Sequence, residues 1–393
     1  MKAESPASTA PSPATRPYIG GQAVIEGVMM RSPSSLSVVV RRKDGTLHVR
    51  ERAVADHRKG WGKVPFVRGV ASLVEAFKLG HEALKFSAEQ FEHDAEAEER
   101  AEEAAKAAKS SHLNAFLATG LGAFYWLTAD GEGGAGRIQN SQKSEKKEGG
   151  LGSILMVLLP IAIFVLAPQA AASGLSKALH WNLPLQSPGF QALTGAFKLA
   201  IIIGYFSLLR RTTLIRRMFQ YHGAEHKAIS TYEAGEELTV ENARKKTTLH
   251  PRCGTTFVVM VALVSILVFT ALGSILPKIN TGKDWLDFLV FFAMKLPLIP
   301  FIAAVTFEIQ RLFARFLSNG PLRVLLWPGF LVQKITTVEP DLAQLEVALA
   351  SLRVTLFREK GAATEARADA KFADYETLLT SASLSSTTGA KAA

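Results

Sequence analysis

The run from Leu151 to Leu175 contains no charged residue, and no other feature restricts the fold as strongly. As a helix, its twenty-five residues extend about 37 Å, against a hydrocarbon core of about 30 Å. Three further stretches share this character. Gly189 to Leu209 is interrupted only by Lys198, Thr255 to Leu276 is charge-free, and Trp285 to Ile309 contains Asp287, Lys295 and Glu308. The composition agrees: 48% of residues are hydrophobic and the mean hydropathy is +0.15. The expectation is a mainly α, polytopic integral membrane protein. It has about four transmembrane helices, a small N-terminal β-hairpin element and amphipathic cytoplasmic helices.

A net charge of +10 raises the question of nucleic acid, and the placement of the charge answers it. Lys143, Lys146 and Lys147 precede the first stretch, and Arg210, Arg211, Arg216 and Arg217 follow the second. Arg244, Lys245, Lys246 and Arg252 precede the third, and Arg311, Arg315 and Arg323 follow the fourth. The opposite loops carry only Lys177, Lys278 and Lys283. Such one-sided loading is the positive-inside pattern. It predicts four spans in the bacterial inner membrane with both termini cytoplasmic, and the partners it implies are membrane lipids. The single cysteine, Cys253, excludes an internal disulfide framework, and on the cytoplasmic side it stays reduced.

Residues 1–17, rich in Ser, Ala and Pro, read as a disordered leader without a secretory signal. Residues 18–63 form a small β element. Leu36–Arg42 and Thr46–Arg52 are strands around the hairpin turn Lys43-Asp44-Gly45, and GGQAVIEGVMMR reads as a tight turn leading into them. Residues 64–150 comprise an apolar helical stripe running into an acidic, alanine-rich helix, then the short apolar segment 113–127 and a polar linker. The span region is 151–335. A cytoplasmic amphipathic helix in 336–374 begins after Pro340, and a disordered tail covers 375–393.

Chemistry concentrates in FQYHGAEHKAISTYE. On a helix, His222, Glu225 and His226 share a face, so two imidazoles reach one metal while a carboxylate approaches its bound water. For the motif alone, a surface helix with its histidines in water is an equal alternative. The stretch LHPRCGTTF shifts the balance by placing His250 and Cys253 just before the third span, at the same membrane edge. Imidazole and thiolate are ligands that zinc prefers. His222, His226, His250 and Cys253 are therefore candidate ligands, with Glu233 in reserve and Glu225 as candidate general base. Four protein ligands would close the site and make it structural, whereas a catalytic site keeps one position open. Lys198 and Lys295 fall mid-span, where they snorkel or meet an anionic group. Glu26 and Arg31 are the charges of GGQAVIEGVMMR, a further candidate contact.

Together GGQAVIEGVMMR, YHGAEHKAISTYE, LHPRCGTTF and KITTVEPD resemble the YqhQ-like bacterial membrane proteins, over about Tyr18 to Leu352. That family is a domain of unknown function commonly labelled a predicted metal-dependent enzyme, and His93 to Gly150 looks like an enlarged insertion into it. The resemblance implies membrane location and a metal. The pattern H-x-x-E-H is also similar to that of the inverzincin proteases, where it supplies two zinc ligands and a base. Three functions follow as expectations. One is a zinc-dependent membrane hydrolase acting at the cytoplasmic face on a lipid-linked or membrane-protein substrate. The others are a scaffold with a structural zinc, or a small transporter.

Overall fold

A computed structural model describes residues 16–54, 67–103, 159, 162–273, 275, 279, 281–316, 326–361 and 369–381. The segment 113–127 and the linker Gly131–Gly150 lie outside them, as do residues 1–15 of the leader.

Five antiparallel strands form a meander in the order β1 Gly20–Val24, β2 Gly27–Arg31, β3 Ser35–Arg41, β4 Leu47–Ala53 and β5 Ala370–Phe372. The Asp-Gly hairpin is β3–β4, with Val39 opposite Val49. GGQAVIEGVMMR is more than the tight turn expected. It is itself the β1–β2 hairpin, folded at Ile25-Glu26 with Val24 opposite Gly27. Its glycines and central charge obscure the period-2 pattern that marks a strand.

Both faces of the sheet are covered. Helix α1, Val67–Glu103, packs Ala83 and Phe86 against Val24, Met29, Leu36, Val38 and Val40. The opposite face holds Val28, Met30, Val39 and Val49 against two later helices, Thr213–Ala234 and Leu342–Gly361. The alternation along β3 sorts consecutive residues to opposite cores, so a slip of one residue would exchange them.

The helices continue as α2 Ala167–Ala178, entered through a π-helical turn at Ala162–Leu166, then α3 Pro188–Leu209, α4 Thr213–Ala234 and α5 Val240–Arg244. Next come α6 Gly254–Gly273, α7 Asp284–Lys295, α8 Leu298–Phe316, α9 Trp327–Thr336, α10 Leu342–Gly361 and α11 Tyr375–Thr380. Two helices, Pro188–Leu209 and Gly254–Leu272, are long and apolar enough to cross a membrane. A third arises if Trp285–Lys295 and Leu298–Phe313, bent by 44°, count as one span. The described residues thus supply two or three of the expected four. Of the run Leu151–Leu175, the structure describes Leu159 and the residues from Ala162 onward. Pro297 sits in the break between α7 and α8, where a missing N–H and a bulky ring interrupt a helix.

Two expectations for the C-terminal region change. Helix α10 is not amphipathic in place: Val347, Ala348, Leu349 and Ala350 are consecutive and all buried. Sheet, α4 and α5 surround it, and a helix enclosed on most sides buries more than one stripe. Its start is fixed by a reciprocal cap. Asp341 Oδ1 accepts from Gln344 N at 2.8 Å, and Gln344 Oε1 accepts from Asp341 N at 3.0 Å. The tail expected to be disordered from 375 opens with α11, whose Leu378 is buried in the same core. N-terminal strands and C-terminal elements thus form one layered unit.

Candidate metal centre

Helix α4 carries His222, Glu225 and His226 on the side that faces three other elements: β1, the loop returning to α6, and the stretch Thr336–Glu339 after α9. The contact with that stretch is close. A Cβ built on Gly223 would lie 2.3 Å from the Val338 carbonyl oxygen, and Val338 N–H donates to Phe219 O at 2.9 Å. Lys227, buried, completes the seam by donating to Arg244 O at 2.9 Å and pairing with Glu339. The motif KITTVEPD therefore lies along the histidine helix.

This seam orients the imidazoles. His222 Nδ1 lies 2.9 Å from Thr336 O, and His226 Nδ1 lies 2.5 Å from Thr248 O. A carbonyl oxygen only accepts, so each Nδ1 carries the proton and each Nε2 keeps a free lone pair. Backbone carbonyls that fix ring and tautomer in this way are the usual outer support of metal-binding histidines. The donor atoms of His222, His226 and Cys253 all lie within 4.8 Å of one another, the one such group of three or more among the described residues. His222 Nε2 and Cys253 Sγ are 3.1 Å apart. Ligands of a tetrahedral zinc, at about 2.05 Å for nitrogen and 2.3 Å for sulfur, stand about 3.6 Å apart. An outward movement of roughly half an ångström thus admits the ion. The Thr255 hydroxyl lies 3.1 Å from Cys253 Sγ, placed to donate to a thiolate.

His250 is placed differently. Its Nδ1 accepts from Arg252 N–H at 3.4 Å, and its Nε2 lies 3.3 Å from Glu233 Oε2. Both ring nitrogens are engaged and the tautomer is opposite to that of the other two. The ring remains near, with its centroid 5.6 Å from that of His226. Glu233, the reserve ligand, is held by His250 and by an ion pair to Arg252. Gln333 clamps the backbone of His250 on both sides, accepting from His250 N at 2.8 Å and donating to His250 O at 2.7 Å.

Glu225 is buried against β1. A Cβ on Gly21 would come within 2.7–2.9 Å of its Cγ, Cδ and Oε1, so the second glycine of GGQAV makes room for this carboxylate. The other candidates lie elsewhere. Glu26, at φ 52°, holds Arg217 through two 2.5 Å contacts and Tyr221 Oη at 3.3 Å. Arg31 pairs with Glu75 at 2.7 Å. Lys198 and Lys295 are placed in the apolar helices, away from the histidines. Gln333, Thr336, Thr248 and Gly21 were not singled out from the sequence. Thr336 and Thr248 act through backbone carbonyls, Gln333 through a side-chain amide that grips a distant backbone, and Gly21 through the absence of a side chain, none of which a residue pattern reports.

Burial sets the protonation of the cluster. Desolvation first, then His222 and His250, hold His226 well below the ordinary imidazole range. Desolvation, with a smaller push from His222, brings His250 down to about 4. Both stay neutral in the folded protein at pH 7, while the unfolded chain takes up protons near pH 6.5. The stability that His250 contributes is full above about pH 6.5 and is lost as pH falls toward 4, by up to about 1.4 kcal/mol per pH unit, and His226 acts in the same direction. Thermal unfolding in detergent is therefore expected to move to lower temperature between pH 7.5 and 5. His250→Asn should reduce that slope, and an unchanged slope would remove His250 from the titration.

A family model described as protein of unknown function (DUF1385) matches residues 64–357. The chain is similar to the uncharacterized protein YqhQ of Bacillus subtilis (strain 168). The two are 31% identical over 343 residues, which is 86% of this chain and 92% of that protein. No solved structure matches.

Proposed function

We propose, for a chain that belongs to the DUF1385 family, a zinc-dependent hydrolase of the bacterial inner membrane. It works at the cytoplasmic face on a lipid-linked or membrane-protein substrate. The observation that carries this reading is the trio His222, His226 and Cys253, with both imidazoles pinned through Nδ1 and His250 engaged elsewhere. Three ligands leave the fourth tetrahedral position free for water or substrate.

The placement is supported by chain connectivity. Strands β1–β4 and β5 share one sheet, so the first and last strands lie on one side of the apolar helices. Helix α3 ends and α6 begins on that same side, at α4 and the histidine loop. If both helices cross, the chain has crossed once already before α3, and it returns after α6 through the broken pair α7–α8. Four crossings result, and the basic loops on the sheet side make that side cytoplasmic. Exposed apolar residues such as Leu208 and Leu267 then face lipid, while exposed Trp181 and Trp285 flank one end of the helices and Trp327 the other.

Bound zinc would polarise a scissile carbonyl or phosphoryl group and acidify its water. His222 and His226 hold their Nε2 lone pairs inward, and Thr255 stabilises the sulfur anion of Cys253. Glu225, one turn after His222, would serve as the base that takes a proton from water and returns it to the leaving group. Arg211, in the turn before α4, and Arg216, in its first turn, would meet an anionic headgroup.

A second reading is favoured by one observation, the ring of His250 beside His226. If that ring turns inward as a fourth ligand, the zinc staples the loop, and the protein is a scaffold. X-ray absorption on the purified protein separates the two. The hydrolase requires three protein ligands and an oxygen, and Glu225→Gln should keep the metal while losing the cellular phenotype. Four nitrogen and sulfur ligands, with Glu225→Gln silent, would replace the enzyme by the staple.

A further inference from the structure

Within the apolar helices lies a second polar cluster, formed by side chains from four of them. Lys295, at the end of α7 where the α7–α8 pair breaks, is 2% exposed. Its Nζ donates to Gln169 Oε1 of α2 at 2.9 Å and Gln191 Oε1 of α3 at 3.2 Å. The same ammonium lies 4.3 Å from the Phe291 ring centroid and 5.0 Å from that of Phe269. Lys198 of α3 donates to Ser265 Oγ of α6 at 3.0 Å and approaches Phe269 from 6.0 Å. Two lysines thus converge on one ring of α6.

Their partners are amide oxygens, a hydroxyl and aromatic faces, all electrically neutral. No carboxylate lies at ion-pair distance from either lysine among the described residues. The sequence explains why. Leu151 to Leu209 contains no Asp or Glu, and neither does α6. The acidic residues of α7 and α8 are Asp284, Asp287 and Glu308. Asp287 is eight residues before Lys295, about 12 Å along a helix, and accepts from Thr281 N and Oγ1. Buried cations in an apolar layer ordinarily pair with a carboxylate or line a site for something charged. Oriented amide oxygens and ring faces are the surroundings of an ammonium ion. Two ammonium groups without an anion repel each other in a medium that screens poorly.

We propose that Lys198 and Lys295 form an intramembrane anion site that takes a phosphate group, carried by an anionic amphiphile or free. Two cations suit a group with more than one charged oxygen, Lys295 being held in place by its two glutamines. The break after α7 supplies irregular backbone, which membranes tolerate where a helix lines a cavity or a binding site. Ser265 is twelve residues beyond Cys253, about 18 Å along the helix, so this site is separate from the histidine cluster. It rests on the membrane placement proposed above and not on the metal.

The test uses the full chain in phosphatidylcholine nanodiscs, with native mass spectrometry reading retained ligand after titration of phosphatidylglycerol or inorganic phosphate. The wild-type protein should retain one phosphate-bearing ligand. The Lys198→Met/Lys295→Met double variant should retain at least tenfold less, and Lys295→Arg should retain it. Retention of phosphatidylglycerol alone identifies a lipid headgroup, and mutual competition with inorganic phosphate identifies the phosphate group itself as the ligand. Equal retention by the wild type and the double variant, or retention by neither, overturns the proposal. Should the double variant fail to fold, Lys198→Met alone decides on the same criterion, because Lys198 is only half-buried. Metal content is measured on the same samples. A normal metal content with no ligand defeats this site alone, and lost metal with retained ligand defeats the hydrolase reading alone.

Discussion

Replacing Gly223 with alanine is expected to destabilise the protein by more than about 3 kcal/mol, at or beyond the upper end for an overpacked core. Gly223 sits in the middle of α4, between the two histidines, where alanine would ordinarily favour the helix by about 1 kcal/mol. Tertiary structure reverses that sign. The added methyl meets the backbone carbonyl of Val338 at 2.3 Å, with Thr248 Cγ2 and Pro340 Cδ also in contact. A side chain could rotate aside, but a carbonyl moves only with its chain. That chain is bound to α4 by the Val338–Phe219 hydrogen bond and orients His222 through Thr336. The variant should therefore lose both thermal stability and metal. Gly204→Ala is the control: a Cβ there meets nothing within 4 Å, so stability should be unchanged or slightly raised. Equal stability of the two variants would mean that the seam is not rigid.

The second large effect concerns the ligands. His222→Ala, His226→Ala and Cys253→Ala should each lower metal affinity by more than the 10–100-fold loss typical of an outer-shell partner. His250→Ala should stay within that range, because its imidazole serves Glu233 and the loop. Metal content after dialysis against a graded series of chelator concentrations ranks the four variants. If His250→Ala loses metal as completely as Cys253→Ala, the site is a closed four-ligand staple. If none of the four loses metal, the centre lies elsewhere or does not exist.

The H-x-x-E-H spacing places His222 and His226 together because helical geometry is local, and the structure brings Cys253 to them as the loop connectivity suggests. The Asp-Gly turn marks β3 and β4 for the same reason, since a two-residue preference fixes the hairpin. Nothing in the neighbourhood of Ala370–Phe372 marks β5, because that strand exists only by pairing with residues more than three hundred positions earlier. The β1–β2 hairpin escapes for a related reason. Gly21 answers to Glu225 across the interface and Gly27 to the backbone of Val39 on β3, not to any preference for strand.

The chain by itself determined what depends on near neighbours: apolar runs long enough to cross a membrane, the basic residues that flank them, and the helix that holds two histidines. Only the tertiary structure decided which groups support that helix. Thr336, Thr248 and Gln333 act through carbonyl and amide groups on distant elements. It also separated His250 from the trio, although its residue type and spacing qualify it as a ligand. The physical reason is that metal binding needs a lone pair aimed at a shared point. The direction of a lone pair follows from the hydrogen bond on the other ring nitrogen, and that partner is set by the fold.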